Sequence, residues 1–416
     1  MKKLFRKILK FVLVFVIGVF ITANMFIILS GRFYLYKGIA NTYLVGRTGP
    51  SIYDKDIFYS STLDAAEKSE QSVFVHHENY NKQSIPKEYR EFIEGLDTRA
   101  LLVFKDDTLL YEEYWDEHDK QTVSNSFSVA KTVVALLVGI AVEDGKISSL
   151  DDKVAKYIPE FKNGGKDVIT VRHLLQMSSG LDWQESGKNP FSHNAESYYG
   201  TDLYGLVTNQ NLVDEPGKHF KYQSGNSQLL AYVVENATGQ DLTQYAEEKI
   251  WSKIGASSDA YWNLDKENGD EKAFCCMYAT ARDFSRIGQM LLNKGKFNEE
   301  QVVPEWYYDE MIKTPQMTTD EGVSNYRYGL HIWTYFGNTN PAYYCRGIKG
   351  QYIITVPDED LLIIRLGEAR KDNFTIPKHL QDDKVYVEEN KYNVGHCLGL
   401  FQYIALGKMI ASQTEQ

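Results

Sequence analysis

The sequence has few cysteines, and their spacing excludes two common ways of stabilising a secreted chain. Its 416 residues include four cysteines, at positions Cys275, Cys276, Cys345 and Cys397. This number is too small for a dense disulfide framework, and no pair has the Cys-x-x-Cys spacing of a zinc site. Because adjacent cysteines rarely pair with each other, buried free thiols are the default expectation. One bridge to Cys345 or Cys397 is the alternative in an oxidising compartment. We expect no metal ion and no other cofactor.

Positive charge is also scarce outside the N-terminus. The formal net charge is −11, and the first ten residues carry five cations. Subtracting those five cations from −11 leaves −16 for the remaining residues. That sign is wrong for nucleic-acid binding and for a basic surface that lies on a membrane. We therefore expect no nucleic-acid partner, and the sequence leaves the oligomeric state open.

One long apolar run follows the N-terminal cations, from Phe11 to about Leu29. About 20 apolar residues span a bilayer, and the apolar core of a cleaved signal peptide is usually shorter. Cations before the run predict a cytoplasmic N-terminus, with everything after Arg32 outside the plasma membrane. We expect a single-pass anchor and a periplasmic or extracellular catalytic domain. A cleaved signal is the alternative, although the sequence has no convincing small-x-small cleavage site.

The pattern of apolar residues predicts an α/β (α+β) fold. Strand-like runs occur near both ends of the remaining chain, namely Ala100–Phe104, Thr108–Trp115, Tyr328–Tyr335, Gln351–Val356 and Leu361–Gly367. The first two are joined by a turn at Lys105 to Asp107, which predicts a hairpin. We expect an antiparallel sheet built from the N- and C-terminal parts, with flanking helices that include His396–Ala411. The domains would be an anchor at 1–32, a linker or cap at 33–97 and a catalytic domain at 98–412. A mainly helical lobe, at about 148–320, would be inserted in the catalytic domain.

The most informative feature is a serine and a lysine three residues apart, Ser128 and Lys131. The surrounding pattern predicts a helix that begins at Asn125 or Ser126 and ends at Gly145. Residues i and i+3 share one helix face, so the amine can reach the hydroxyl. A lysine can act as the base for a serine nucleophile when burial lowers its pKa. A second match, Ser84 to Lys87, contains a proline in a polar stretch, and we set it aside.

A serine and lysine pair needs a third group that protonates the leaving group, and Tyr222 is the best candidate. A turn at Pro216-Gly217 precedes this tyrosine and a helical apolar pattern follows it, which predicts a loop that enters a helix. Such a position lets a side chain point into a cleft. Trp183, which follows the break at Ser179-Gly180, is a candidate to line the substrate pocket. Packing in the core is an equally good interpretation of that tryptophan.

Several ordered blocks together resemble the superfamily of serine β-lactamases and penicillin-binding proteins. The resemblance covers about residues 97–370 and is closest to the class C-like branch, which includes esterases, D-amino-acid peptidases and 6-aminohexanoate-oligomer hydrolases. The blocks that carry it are Ser128–Lys131, Val171–Trp183, Pro216–Leu230, Tyr278–Gly288 and Gly350–Pro357.

The resemblance implies roles for further residues, with two departures from the class C pattern. Ser224 stands where class C β-lactamases carry the asparagine of Tyr-x-Asn, and an alignment on Asn226 instead breaks the spacing. The residues from Arg346 to Gly350 replace the usual Lys-Thr-Gly element. If Gly347 is the glycine of that motif, the backbone N–H groups of Ser128 and Ile348 form the oxyanion hole. Arg346 or Lys349 would then hold a substrate carboxylate, and a solvated loop is the alternative for both cations.

The function that follows is a membrane-anchored serine hydrolase that cleaves amide or ester bonds through an acyl-enzyme on Ser128. Lys131 would take the hydroxyl proton, and Tyr222 would protonate the leaving group and help to activate water. The substrate would be a small molecule or a cell-wall-type amide or ester. One alternative is a cell-wall D,D-carboxypeptidase or D-alanyl esterase. Another is a catalytically silent penicillin-binding-like sensor, which the intact Ser128, Lys131 and Tyr222 disfavour.

Overall fold

The computed structural model of the protein describes residues 2–66, 74–319, 322–337 and 340–414. Its helices are α1 (Lys2–Ser30), α2 (Tyr34–Asn41), α3 (Lys87–Glu94), α4 (Ala130–Glu143), α5 (Val171–Leu175), α6 (His193–Tyr199), α7 (Leu203–Thr208), α8 (Ser224–Thr238), α9 (Leu242–Ala246), α10 (Ala281–Leu292), α11 (Glu305–Met311), α12 (Lys384–Asn390) and α13 (Leu398–Ser412). Its strands are β1 (Ser60–Leu63), β2 (Thr98–Lys105), β3 (Thr108–Tyr114), β4 (Ser124–Asn125), β5 (His219–Phe220), β6 (Ala260–Asn263), β7 (Met277–Ala279), β8 (Lys296–Phe297), β9 (Glu300–Gln301), β10 (Thr318–Thr319), β11 (Trp333–Tyr335), β12 (Ala342–Gly347), β13 (Gln351–Val356) and β14 (Leu361–Gly367).

The main sheet combines N-terminal and C-terminal strands of the predicted catalytic domain, as the sequence predicts. Its strand order is β11-β12-β13-β14-β2-β3, and every neighbouring pair is antiparallel. Side chains alternate between two buried faces, because consecutive residues of a strand point to opposite sides of a sheet. Leu102 and Ile364 belong to the core that includes α4 and α10, whereas Leu101 and Ile363 pack with α13.

A smaller sheet links the segment after the N-terminal helix to the rest of the protein. Its order is β1-β6-β7-β4, with β1 antiparallel to β6. Strand β4 leads directly into the turn that carries Ser128. The range predicted as a helical lobe therefore also supplies β6 and β7 to a sheet, and its predicted end at residue 320 lies outside the described residues. The domain boundaries stay a prediction.

Most of the predicted elements are present, and one strand is shorter than expected. The hairpin of β2 and β3 is confirmed, with Asp106 and Asp107 in the left-handed region at its turn. The predicted strand at 328–335 is wrong in its first half, since only Trp333–Tyr335 pairs as β11. The backbone turns before it, where the Gly329 N–H donates to the Ile332 carbonyl at 3.0 Å. The alternating apolar residues of this stretch are therefore buried in the core, but they belong to a turn and not to a strand.

Helix α1 has the length and composition of a membrane span. Its 29 residues have a mean hydropathy of 2.8 in their most apolar window. At 1.5 Å per residue such a helix is roughly 43 Å long, which exceeds a hydrocarbon core of about 30 Å. The helix is almost wholly exposed, so it is not a core helix of the domain. This feature suits either a membrane anchor or a signal sequence.

Candidate active site

Ser128 lies in a short 3₁₀ turn, Phe127–Val129, that connects β4 to α4. The turn differs from the continuous helix that the sequence predicts, because Phe127 has φ 46° in the left-handed region. The Asn125 side chain accepts a hydrogen bond from the Phe127 N–H at 2.8 Å and holds this conformation. The serine hydroxyl is thereby presented to a cavity at the N-terminus of α4.

Lys131 lies in the first turn of α4, and its ammonium contacts the serine. Nζ donates to Ser128 Oγ at 3.0 Å and to the Phe274 carbonyl at 2.5 Å. The side chain is 1 % exposed. Burial lowers the pKa of Lys131 to about 8, and the negative charge of Glu185 opposes this shift. Near neutral pH a fraction of the amine is therefore neutral and can accept the serine proton.

Tyr222 lies two residues before α8, and its ring is fixed by aromatic neighbours. The ring stacks on Trp333 at 5.8 Å between centroids and meets Tyr328 edge-on at 5.9 Å. Burial raises the pKa of Tyr222, and the neighbouring Ser128 opposes this shift. The phenol is therefore protonated at neutral pH, and Lys131 Nζ lies 5.3 Å from the centroid of the Tyr222 ring. The three residues singled out in the sequence, Ser128, Lys131 and Tyr222, are brought together.

Glu185 is a member of the site that the sequence analysis missed. One carboxylate oxygen accepts from the Ser224 hydroxyl at 2.7 Å, and the other accepts from the Ser224 N–H at 2.8 Å. The second oxygen also accepts from the Trp183 indole at 2.7 Å. A carboxylate at the N-terminus of α8 is favoured by the exposed backbone N–H groups and the helix dipole. No spacing rule could have found Glu185, because Ser224 is 39 residues away along the chain.

Two predicted substrate-binding residues have other contacts in the structure. Trp183 is 1 % exposed and packs so closely on α8 that a Cβ at Gly225 would lie 2.7 Å from its ring. It is not among the described residues that line the cavity. Ser224 does line the cavity, but its hydroxyl is bound to Glu185.

The end of β12 lies against the turn that carries Ser128. A Cβ on Gly347 would lie 2.3 Å from the Ser126 carbonyl oxygen, so only glycine permits this approach. Ile348 follows it and lines the same cavity as Ser128. This proximity suits two backbone donors facing one carbonyl oxygen, and the oxyanion hole of Ser128 and Ile348 stays a prediction.

The two cations predicted to hold a substrate carboxylate both have internal partners. Arg346 stacks on Trp333, with Cζ 3.6 Å from the ring centroid, and donates to the Gly395 carbonyl at 3.1 Å. Lys349 forms an ion pair with Glu368. Neither residue is among the described residues that line the cavity.

The expectation of free thiols at the adjacent cysteines is wrong, because Cys275 and Cys276 form a disulfide with each other. A left-handed backbone at Cys276, with φ 68°, accompanies the bond between these neighbours. Cys345 and Cys397 are buried free thiols, as expected. The disulfide directly follows Phe274, whose carbonyl binds Lys131, and Cys275 lines the cavity.

The cavity has a volume of about 460 Å³, and two parts of its lining differ in origin. The catalytic wall consists of Phe127, Ser128, Glu185, Ser224, Phe274 and Ile348. The juxtamembrane wall consists of Tyr34, Leu35, Gly38, Ile39, Thr42 and Tyr43, followed by Thr48, Gly49 and Pro50. The rest of the described lining comes from the loop 186–190, Asn194, Ala195, Tyr198, Tyr199 and Cys275. The segment 33–97, for which the sequence predicts a linker or a cap, thus contributes to the lining of the site.

Comparison with known families agrees with the site. A model described as Beta-lactamase matches residues 89–380. The chain belongs to the beta-lactamase family. This membership agrees with the resemblance found in the sequence and shows that the protein is a serine hydrolase of the beta-lactamase-like superfamily, whose members act on amides and esters.

Several known proteins are similar to this chain over most of its length. The 6-aminohexanoate-dimer hydrolase of Paenarthrobacter ureafaciens is 27% identical over 285 residues, which are 65% of this chain and 72% of that protein. A Bacillus anthracis structure assigned as a 6-aminohexanoate-dimer hydrolase has a TM-score of 0.66 at 22% identity and covers 82% of this chain and 92% of its own. A family VIII carboxylesterase has a TM-score of 0.58 at 18% identity, with coverage of 74% and 96%. These two structures support the fold.

Proposed function

We propose that this protein is a membrane-anchored, extracytoplasmic hydrolase that cleaves amide or ester bonds through an acyl-enzyme on Ser128. The observation that carries the proposal is the 3.0 Å contact between Ser128 Oγ and Nζ of the buried Lys131 side chain. A buried amine with a pKa of about 8 is half neutral near that pH and can act as a base.

Tyr222 supplies the second proton transfer of the proposed mechanism. Lys131 takes the proton of Ser128, and the oxygen attacks the substrate carbonyl. Tyr222 then gives its proton to the leaving oxygen or nitrogen, as its position beside Ser128 and Lys131 permits. Water enters after the leaving group departs, and its attack on the ester of Ser128 regenerates the enzyme. The N–H groups of Ser128 and Ile348 would stabilise both tetrahedral oxyanions.

The anchor and its orientation rest on α1 and its flanking charges. Five cations precede the apolar part of this helix, which favours a cytoplasmic N-terminus. The catalytic domain would then lie on the outer face of the plasma membrane. Periplasmic and extracellular locations both suit this arrangement.

The narrower alternative, a carboxypeptidase that binds a terminal carboxylate, has less support from the site. Such a substrate needs a cation beside the catalytic serine. Arg346 and Lys349 have internal partners, and Lys188, the cation of the described cavity lining, is exposed on the loop that follows Glu185 and is not part of a buried carboxylate site. We therefore favour a substrate without an essential terminal carboxylate.

The first experiment treats the full chain in detergent micelles with a fluorophosphonate probe and with 4-nitrophenyl acetate. We expect labelling and turnover in the wild type, and loss of both in Ser128→Ala. Ser148→Ala, which alters an exposed serine remote from the cavity lining, is the matched control and should behave as wild type. A folded wild type that neither labels nor turns over the ester would contradict the proposal, as would labelling that persists in Ser128→Ala.

A further inference from the structure

The residues that directly follow the membrane span help to build the cavity. Helix α1 ends at Ser30 and α2 begins at Tyr34, with three residues between them. Leu35, Ile39 and Tyr43, from α2 and the turn after it, line the same cavity as Ser128. One wall of the site is therefore fixed within a few residues of the point at which the chain would leave the bilayer.

Contacts between the end of the span and the catalytic region hold the cavity close to that point. The Tyr34 hydroxyl donates to the Pro190 carbonyl at 3.0 Å, and Arg32 donates to the Phe191 carbonyl at 3.2 Å. The Phe191 ring also meets Phe26 of α1 edge-on, with 5.6 Å between centroids. Because Phe26 lies within the apolar run, these contacts bring the loop beside the cavity to the depth of the bilayer surface.

The juxtamembrane segment, residues 32–50, exposes apolar side chains and has no acidic ones. Phe33, Tyr43, Leu44 and Val45 are all more than half exposed, and Leu44 reaches 77 %. No aspartate or glutamate occurs before Asp54, whereas Arg32, Lys37 and Arg47 lie in this segment. Exposed apolar and aromatic residues among cations are typical of a surface that lies in the interfacial region of a membrane.

We infer that the substrate is an amphiphilic acyl ester or amide that enters the cavity from the outer leaflet. This inference rests on the proposed function, because it requires both the anchor and Ser128 catalysis. The acyl chain would lie along Leu35, Ile39 and Tyr43, and the carbonyl would reach the catalytic wall. A cavity of about 460 Å³ is in the usual range for such a ligand, roughly 300–1,000 Å³.

The reaction of such a substrate needs no reagent except water. Ser128 Oγ forms a bond to the acyl carbon, and the bond from that carbon to the headgroup oxygen or nitrogen breaks. The headgroup leaves with the proton supplied by Tyr222. Water then cleaves the acyl-serine ester, so the products are a free fatty acid and the headgroup alcohol or amine.

The test compares two nitrophenyl esters on the full chain reconstituted in phosphatidylcholine vesicles. 4-Nitrophenyl acetate is soluble, whereas 4-nitrophenyl dodecanoate partitions into the bilayer. We expect the wild type to have a kcat/KM for dodecanoate at least tenfold above that for acetate. Ile39→Glu puts a charge in the path of the acyl chain, and the ratio of dodecanoate to acetate should fall at least tenfold. Ile39→Asn is a second variant, which changes polarity without adding charge.

The matched control is Val385→Glu, which adds the same charge at an exposed apolar residue outside the described cavity lining. It should leave the ratio unchanged. Acetate turnover with a wild-type preference for acetate overturns this inference and leaves the proposed hydrolase intact. A ratio in both Ile39 variants equal to that of the wild type also overturns it. If the folded wild type hydrolyses neither of the two esters, both the inference and the proposed function are overturned.

Discussion

The catalytic wall and the juxtamembrane wall of the cavity differ in how their side chains are held. Lys131 and Tyr222, behind the catalytic wall, are fixed by a buried hydrogen bond and by aromatic packing. Ile39 and Tyr43, in the juxtamembrane wall, are exposed for more than a third of their area. This contrast agrees with the proposal that the first wall carries the chemistry, which requires fixed distances, and the second recognises the substrate. Changes behind the catalytic wall should therefore slow substrates that share a leaving group equally, whatever the length of their acyl chains.

The largest expected effect is that of Lys131→Met, which removes the proposed base and keeps an apolar chain of similar length. We expect kcat/KM to fall by roughly 10³-fold for both 4-nitrophenyl esters, within the range for general-base catalysis. The ratio between the two esters should stay at its wild-type value. Steady-state kinetics in vesicles measures both quantities, and a thermal unfolding curve checks that the variant is folded. Retention of a tenth of the activity would exclude Lys131 as the base.

Tyr222→Phe should have the next largest effect, and its size should depend on the leaving group. Phenylalanine keeps the ring between Tyr328 and Trp333 but has no proton to donate. We expect a loss of about 10²-fold in kcat for an alkyl ester or amide, whose leaving group needs that proton. Nitrophenolate leaves without protonation, so the loss for 4-nitrophenyl acetate should be smaller. Equal losses for the two leaving groups would argue that Tyr222 acts only by packing.

Removal of the disulfide between Cys275 and Cys276 should have a moderate effect. The bond follows the residue whose carbonyl binds Lys131, so its loss should loosen the support of the amine. We expect the double variant Cys275→Ser, Cys276→Ser to lose about threefold to tenfold in kcat/KM for both esters, since small displacements reduce catalysis. Dithiothreitol should reproduce this loss in the wild type and add nothing in the variant. If the two treatments are additive, the reductant acts elsewhere.

The sequence could predict the parts of the site that depend on local spacing. Ser128 and Lys131 are three residues apart, and the helix that contains Lys131 is set by its own apolar pattern. The antiparallel sheet was predictable because alternating strands occur at both ends of the chain. The contact of Glu185 with Ser224 was not predictable, since it depends on the tertiary packing of α8 against Trp183. The same limit applies to the juxtamembrane wall, which depends on how α2 packs against Tyr199 of α6.

The smallest predicted effect is a change in pH dependence caused by Glu185→Gln. The proposed mechanism requires neutral Lys131, so activity should rise with pH through the pKa of about 8. The negative charge of Glu185 raises that pKa, and removing the charge therefore lowers it. Glutamine can still accept from the Ser224 N–H through its oxygen and donate to the Ser224 hydroxyl, so the N-terminus of α8 keeps its partner. We expect the acidic limb of the kcat/KM profile to move to lower pH by less than about one unit.

Since the change lies in the pKa of Lys131 itself, the movement should be the same for acetate and dodecanoate. A shift confined to the dodecanoate profile would mean that Glu185 acts on the substrate, and the separation of the two walls into chemistry and recognition would then fail at this residue.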